Sequence, residues 1–225
     1  MDSEIRLRFS NHDDLVRYER DCAGNEESRC LSRSFSAVCI HPVEPVNLPE
    51  ALTRFLEISF PPLILPAGSE QTVYVKFPIE IGIFLESAGK CDSLDVFSLA
   101  PTKFSLYGTP SSGVITRFYR SGISTVIPDT DPLREGVIRL TIRNQRTETT
   151  IVGRAVFDSG DMSIFYSNRR VAMTATLEIY SEYLARTLVA DEPPEDCPNR
   201  SINMYPASQF SIPTVKGYFM EAGTK

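Results

Sequence analysis

Residues 103–120 combine cations and aromatic rings around a short loop that is rich in glycine and serine. Alternating apolar residues on both sides of the loop at 108–113 predict a β-hairpin. The cationic and aromatic side chains on its two strands belong to Lys103, Tyr107, Arg117, Tyr119 and Arg120. Such side chains can hold an anion or an acidic partner through charge-assisted hydrogen bonds. One interpretation is therefore a site for a small anionic ligand.

The same hairpin also has a purely structural interpretation. Strand alternation puts Arg117 and Tyr119 on one face, and Thr116, Phe118 and Arg120 on the other. The rings would then belong to the core, and the arginines would form cross-strand ion pairs on a solvent-exposed face. Residue types and spacing favour this second interpretation and leave the first one open.

Residues suited to acid–base, nucleophilic or metal chemistry are few and scattered. His12 and His41 are the only histidines, and no pattern supplies either with a nucleophile and an orienting acid. Cys22, Cys30 and Cys39 are too widely spaced to form a zinc knuckle with His41. No G-x-S-x-G, P-loop or G-x-G-x-x-G sequence is present. We therefore expect a non-catalytic protein with no cofactor and no bound metal.

Composition limits the partners and the compartment. The 225 residues include 29 acidic and 23 basic ones, with a formal net charge of −6, which argues against nucleic acid as a partner. The charged N-terminus lacks the apolar segment of a secretory signal, and no apolar run approaches the roughly 20 residues that span a bilayer. Five cysteines, an odd number, suit a reducing compartment. We expect a soluble, cytoplasmic protein that does not insert into membranes.

Strand patterns dominate between residues 35 and 190, and only one short helix is indicated, around residues 181–188. Strands without crossover helices pair antiparallel. The sequence therefore predicts an all-β fold, an antiparallel β-sandwich of jelly-roll type with about ten strands and little helix. We divide the chain into N-terminal strands or an arm (1–34), the sandwich domain (35–190) and a proline-rich tail (191–225) that could pack on the domain.

The clearest pattern is the alternation of apolar residues from 73 to 85, which Pro78 interrupts. Proline cannot donate a ladder hydrogen bond, so we interpret Pro78 as a bend where the chain passes from one sheet to another, with a sheet edge as the alternative. The residues predicted to face away from the core are Tyr74, Lys76, Glu80 and Phe84. An exposed Phe84 would need cover from the C-terminal tail or from another subunit.

Three phrases occur in order along the chain: "FPPLILPAGSEQTVYVKFPIEIGIF", "DVFSLAPTKFSLYGTPSSGVITRFYRS" and "DPLREGVIRLTIRN". In these phrases the chain resembles an archaeal family known as domain of unknown function 432, over roughly residues 35–190. The resemblance implies a single-domain cytoplasmic protein without an assigned activity, and it supplies no catalytic residues.

Two functional hypotheses follow. The first is a non-catalytic protein-interaction or structural module that binds another protein, or a second copy of itself, through an exposed sheet edge or face. The second is a protein that binds a small anionic ligand or a carbohydrate, or an enzyme, through the hairpin at 103–120. The expected binding residues are Lys103, Tyr107, Arg117, Tyr119, Arg120 and Phe84.

Overall fold

The computed structural model describes residues 5–22, 24–49, 52–204 and 217–225. Regular structure in these residues is almost entirely strand, which confirms the predicted all-β fold, and the one helical turn described is a 3-10 turn at Ser159–Asp161. The strand count exceeds the predicted ten, because short pairings at the ends of loops also form strands. The strands are β1 (Ile5–His12), β2 (Leu15–Cys22), β3 (Asn25–Ser32), β4 (Ala37–Val43), β5 (Phe55–Leu65), β6 (Glu70–Pro78), β7 (Glu80–Ser87), β8 (Lys90–Phe97), β9 (Phe104–Tyr107), β10 (Val114–Arg120), β11 (Ile123–Ser124), β12 (Glu135–Asn144), β13 (Thr150–Asp158), β14 (Phe165–Tyr166), β15 (Val171–Ile179), β16 (Ala185–Val189), β17 (Asn199–Arg200) and β18 (Gly217–Met220).

A small sandwich forms from the meander β1–β2–β3 and the three-stranded sheet β4–β7–β8. Their shared core includes Tyr18 from the first sheet, and Ile83 and Phe97 from the second. The Tyr18 hydroxyl donates to Asp95 Oδ2 at 2.7 Å, and Arg20 Nε donates to the same oxygen at 2.6 Å. A buried polar link therefore joins the two sheets, and Arg29 Nη1 adds a second one by donating to Leu94 O.

A larger sandwich forms from a four-stranded sheet, in the order β13–β5–β10–β9, and an eight-stranded sheet. The eight-stranded sheet runs β11–β6–β12–β15–β14–β17, and β16 and β18 extend from β15. Its core contains Leu56 and Ile58 from the first sheet and Val75, Ile138 and Leu177 from the second. Most neighbours pair antiparallel as predicted, but β5 with β10 and β12 with β15 are parallel. Long connections between these strands allow the parallel pairing without a crossover helix.

The bend predicted at Pro78 is where the chain passes between the two sandwiches. Strand β6 ends at Pro78 in the eight-stranded sheet, and β7 begins at Glu80 in the three-stranded sheet. Pro78 occupies the last paired position of β6, opposite Glu135. A missing N–H at the end of a strand interrupts no ladder, and the next residue resumes hydrogen bonding, with Ile79 N donating to Arg134 O at 3.1 Å.

The predicted exposure of Glu80 and Phe84 is wrong, although the register is right. The alternating apolar residues from Val73 to Ile83 are buried as predicted, but Glu80 is 0% and Phe84 2% exposed. Both faces of β7 are covered. On one face, Ile81 and Ile83 pack in the core of the small sandwich. On the other face, Glu80 contacts Asn47 and Arg117, and Phe84 contacts His41. Phe84 is covered by its own chain, because its ring folds over Gly82 toward His41.

The predicted helix around residues 181–188 is also wrong. Residues 181–184 form a turn, in which Ser181 N donates to Leu184 O at 3.1 Å, and β16 follows and pairs with β15. Inward-facing Ala185 and Thr187 fit the two-residue period of a strand, and Thr187 Oγ1 donates to Val156 O at 2.7 Å. Tertiary pairing has overridden a weak helical preference.

The C-terminal region contributes β17 and β18, and residues 205–216 of the predicted tail (191–225) lie outside the described residues. The last residues pack on the domain, with Gly153 N donating to Thr224 O at 2.8 Å. The division at residues 34 and 190 stays a prediction. Within the described ranges, no helix is long and apolar enough to cross a membrane.

Candidate binding surface on the hairpin

The predicted hairpin is formed by β9 and β10, which pair antiparallel around the loop at 108–113. Gly108 adopts a φ of 108°, a conformation open to glycine, and Gly113 N closes the loop by donating to Thr109 O at 2.7 Å. The other side of β10 pairs with β5. Strand β9 has no second neighbour among the described residues, so it forms an edge of the four-stranded sheet.

The backbone of β9 presents hydrogen-bonding groups at this edge. Phe118 N donates to Lys103 O at 2.8 Å, which identifies Lys103 and Phe118 as a hydrogen-bonded pair. Antiparallel ladders alternate hydrogen-bonded and non-hydrogen-bonded positions. Phe104 and Leu106 therefore direct their N–H and C=O groups away from β10, where another strand can reach them.

Three large apolar side chains are exposed beside these groups. Phe104 is 38%, Leu106 45% and Ile115 46% exposed. Leu106 lies directly opposite Ile115 in the ladder, and Phe104 lies opposite Arg117 on the same face. We call Phe104, Leu106 and Ile115 the apolar edge.

Two of the cations predicted to form the site remain available at the base of the hairpin. Lys103 and Arg120 are both exposed. Neither forms an ion pair with any residue that the structure describes. They can therefore meet acidic groups of a partner that approaches along β9.

The two tyrosines predicted for the site are occupied by internal hydrogen bonds. The buried Tyr107 hydroxyl donates to Gly223 O and accepts from Ala222 N, each at 3.0 Å. Burial raises the pKa of Tyr107 to about 12. The Tyr119 hydroxyl donates to Glu135, which also pairs with Lys76 Nζ at 3.2 Å. Both rings therefore hold the hairpin in place instead of facing solvent.

Arg117 is fully buried, so it is not available to an external ligand. Its Nη1 lies 3.5 Å from Glu80 Oε1, and its Nε and Nη2 have no hydrogen-bond partner among the described residues. Glu80 Oε2 accepts from Asn47 N at 3.0 Å. Burial raises the pKa of Glu80 to about 7, against the lowering effects of Asn47 and Arg117. Arg117 does form an ion pair, as predicted, but the pair is buried inside the molecule and does not lie on a solvent-exposed face.

A second buried carboxylate supports the opposite face of the hairpin and was missed by sequence reasoning. Glu57 Oε2 accepts from Ser105 Oγ at 2.6 Å and from Thr116 Oγ1 at 2.8 Å. Glu57 Oε1 lies 3.6 Å from Arg154 Nη1. The sequence did contain an indication of this site: Glu57 lies between Leu56 and Ile58 in a predicted strand, and a carboxylate that is buried in such a strand needs internal partners.

A family model described as a protein of unknown function, DUF432, matches residues 2–221. The chain belongs to the DUF432 family. Membership extends beyond the central phrases into the N-terminal meander and the C-terminal region. Comparisons with curated proteins and with solved structures give no match.

In this DUF432 protein, the described residues contain no group of three or more histidine, cysteine, aspartate or glutamate side chains placed to hold a metal ion. The exposed features of the hairpin are polar and apolar groups on a fixed strand pair. It offers open backbone groups, three apolar side chains and two cations on a strand pair that is fixed from both faces.

Proposed function

We propose that this DUF432 protein is a non-catalytic protein-interaction module, and that its β9 edge takes up a strand from a partner protein. The observation that carries the proposal is the outer edge of β9, which pairs with no second strand among the described residues, with the exposed side chains of the apolar edge beside it. In strand addition, main-chain hydrogen bonds supply affinity and the alternate side chains supply specificity.

The surface defines the chemistry of the partner strand. Apolar side chains at alternate positions of that strand would cover Phe104, Leu106 and Ile115. Lys103 and Arg120 favour an acidic residue at the end of the strand that passes the base of the hairpin. A short apolar and acidic segment, either from another protein or from a second copy of this chain, has this chemistry.

The hairpin is prepared for binding because buried partners fix it from both sides. Arg117 ties β10 to Glu80 of β7, and Ser105 and Thr116 tie both strands to Glu57 of β5. A strand that is already ordered loses little conformational entropy on association. The network therefore supports a role in recognition as well as in stability.

The test uses a change that removes only an outward hydrogen-bond donor. Leu106→Pro eliminates an N–H that does not bond to β10, and proline is tolerated at such edge positions. Ile151→Lys is the matched control, since Ile151 is 41% exposed on β13 at the other edge of the same sheet. Light scattering over a concentration series measures self-association, and capture from native lysate identifies other partners.

We expect association to be lost in Leu106→Pro and in Leu106→Lys, and to be retained in Ile151→Lys. If the wild type stays a monomer at high concentration and captures no protein in a manner that depends on Leu106, the proposed function is wrong. Circular dichroism of each variant separates loss of binding from loss of the fold.

A further inference from the structure

A cavity of about 200 Å³ lies where the two sandwiches meet. Strand β4 contributes one wall, and Ile79 and Ile81 contribute another, where the chain passes from β6 to β7. The third wall comes from β14, the turn after it and Val171. Residues 132–133 form the rim, where Leu133 is 51% exposed. The site therefore opens to solvent at one end and lies between two packed units, a common position for ligands.

The lining contains no lysine, arginine, aspartate or glutamate among the described residues. A charged ligand placed there would lose its hydration and gain no ionic partner, at a high free-energy cost. The lining is mainly aliphatic side chains and proline rings. Its chemistry selects a neutral molecule that buries apolar surface.

The polar residues of the lining are Ser167 and Asn168, in the turn after β14, and the pair formed by His41 and Tyr166. His41 Nδ1 and the Tyr166 hydroxyl are 2.5 Å apart. The His41 ring also lies against Phe84, which together with Tyr166 fixes its orientation. Burial lowers the pKa of His41, which favours the neutral imidazole at neutral pH. A neutral imidazole has one donor and one acceptor, and a hydroxyl can both donate and accept, so after their mutual hydrogen bond the pair retains one donor and one acceptor, both of which a single ligand hydroxyl can use.

The volume sets the size of the ligand. A dry cavity of about 150 Å³ lined by aliphatic side chains holds a benzene molecule. The cavity of about 200 Å³ is open to solvent on the side of Ile40 and Leu133, so a six-membered ring with one small substituent would fill it and keep one side exposed. Its walls come from strands and from the fixed crossing at Ile79, so the site is formed before any ligand arrives.

We propose that this cavity is a binding site for a neutral, mainly apolar molecule about the size of one ring, with a single hydroxyl group that hydrogen-bonds to the His41–Tyr166 pair. The site is independent of the β9 edge, so either proposal can fail without the other.

The experiment compares phenol with toluene, which has a similar ring but no hydroxyl. Methyl resonances of Ile79, Ile81, Leu133 and Val171 are followed by NMR while each probe is added to the full chain. We expect saturable shifts at these methyls, with phenol binding about fivefold more tightly than toluene, as one net hydrogen bond provides.

Two variants test the assignment. Tyr166→Phe keeps the ring and removes the hydroxyl, so we expect phenol to lose its advantage while toluene affinity is unchanged. Leu133→Trp enlarges an exposed rim residue and should weaken both probes, and it provides a test even if Tyr166→Phe fails to fold. Absence of saturable shifts, shifts centred elsewhere, or a phenol preference that survives Tyr166→Phe would each overturn the proposal.

Discussion

Glu80 and Arg117 place opposite charges in the interior where the two sandwiches meet. The distance of 3.5 Å between Glu80 Oε1 and Arg117 Nη1 is long for an ion pair, and two guanidinium nitrogens lack hydrogen-bond partners among the described residues. A buried pair of this kind contributes little net stability compared with apolar residues, but removal of one partner leaves an uncompensated charge. The pair therefore makes the interface between the sandwiches highly sensitive to substitution.

Replacement of Glu80 by lysine would place two cations together in this interior. We expect Glu80→Lys to lower the free energy of unfolding by more than about 4 kcal/mol, as measured by chemical denaturation. Glu86→Lys is the control on the same strand, where the side chain is only half-buried; its effect should stay within about 1 kcal/mol. Similar losses in the two variants would contradict a special role for the buried pair.

The pH dependence of stability also follows from Glu80. Its pKa rises from 4.5 to about 7 in the folded protein, mainly through burial. Because the folded state holds this proton more tightly than the unfolded state, the stabilisation is fully present below pH 4.5 and is lost as the pH rises through about 7. The total loss is on the order of 3 kcal/mol.

Glu80→Gln cannot ionise and should lack this dependence. We expect the unfolding free energy of the variant, minus that of the wild type, to increase between pH 4.5 and about 7 and then to level off. Burial lowers the pKa of His41, so this residue makes stability rise with pH, opposite to Glu80. Both proteins contain His41, so its contribution cancels in the difference between their unfolding free energies. A difference that is constant with pH would contradict the raised pKa.

At the scale of the strand, Gly82 explains how Phe84 is buried on the second face of β7. A Cβ at position 82 would lie 2.6 Å from the Phe84 ring and 3.0 Å from Val43 Cγ1. We expect Gly82→Ala to lower stability by about 1–3 kcal/mol through overpacking, and to shift the NMR signals of His41. Gly122→Ala is the control, because its added Cβ would meet no atom within 4 Å. If the clash with the Phe84 ring causes the loss, adding Phe84→Leu to Gly82→Ala should recover part of the lost stability. Equal stability of Gly82→Ala and Gly122→Ala would contradict this explanation.

The sequence predicted those features of the strands that depend on local pattern. Alternation identified the buried residues from Val73 to Ile83, and the missing N–H of Pro78 identified the passage between sheets. The loop at 108–113 identified the hairpin. Each of these conclusions needs only neighbouring residues.

The burial of Glu80 and Phe84 could not be predicted in the same way. Their partners, Asn47, Arg117 and His41, lie between 33 and 43 residues away along the chain. The alternation pattern shows that two faces exist, but not that both are covered. Likewise, the open edge of β9 depends on which strands become neighbours, and the parallel pairing of β10 with β5 had no local signal.

At the scale of the whole molecule, the described residues build two main cores, joined by one continuous run of sequence, and a small third cluster of Phe165, Ala172 and Cys197. The small sandwich has a core around Tyr18, Ile83 and Phe97, separate from the large core. Strand β6 belongs to one unit and β7 to the other. The buried Glu80–Arg117 pair and the half-buried His41–Tyr166 pair both bridge the two units, so the sandwiches are joined by polar as well as apolar contacts.

Separate cores predict that a core mutation destabilises one sandwich more than the other. Tyr18→Ala removes a fully buried ring and its hydrogen bond to Asp95, and we expect a loss of about 3–5 kcal/mol. Hydrogen exchange should then speed up in β1, β2, β3 and β8, while amides of β12 and β15 keep most of their protection, because local units can open separately. Met173→Ala, in the large core, is the reciprocal control. If both variants accelerate exchange equally throughout the described strands, the two sandwiches unfold as one cooperative unit, and the polar contacts between them couple them more strongly than their separate cores imply.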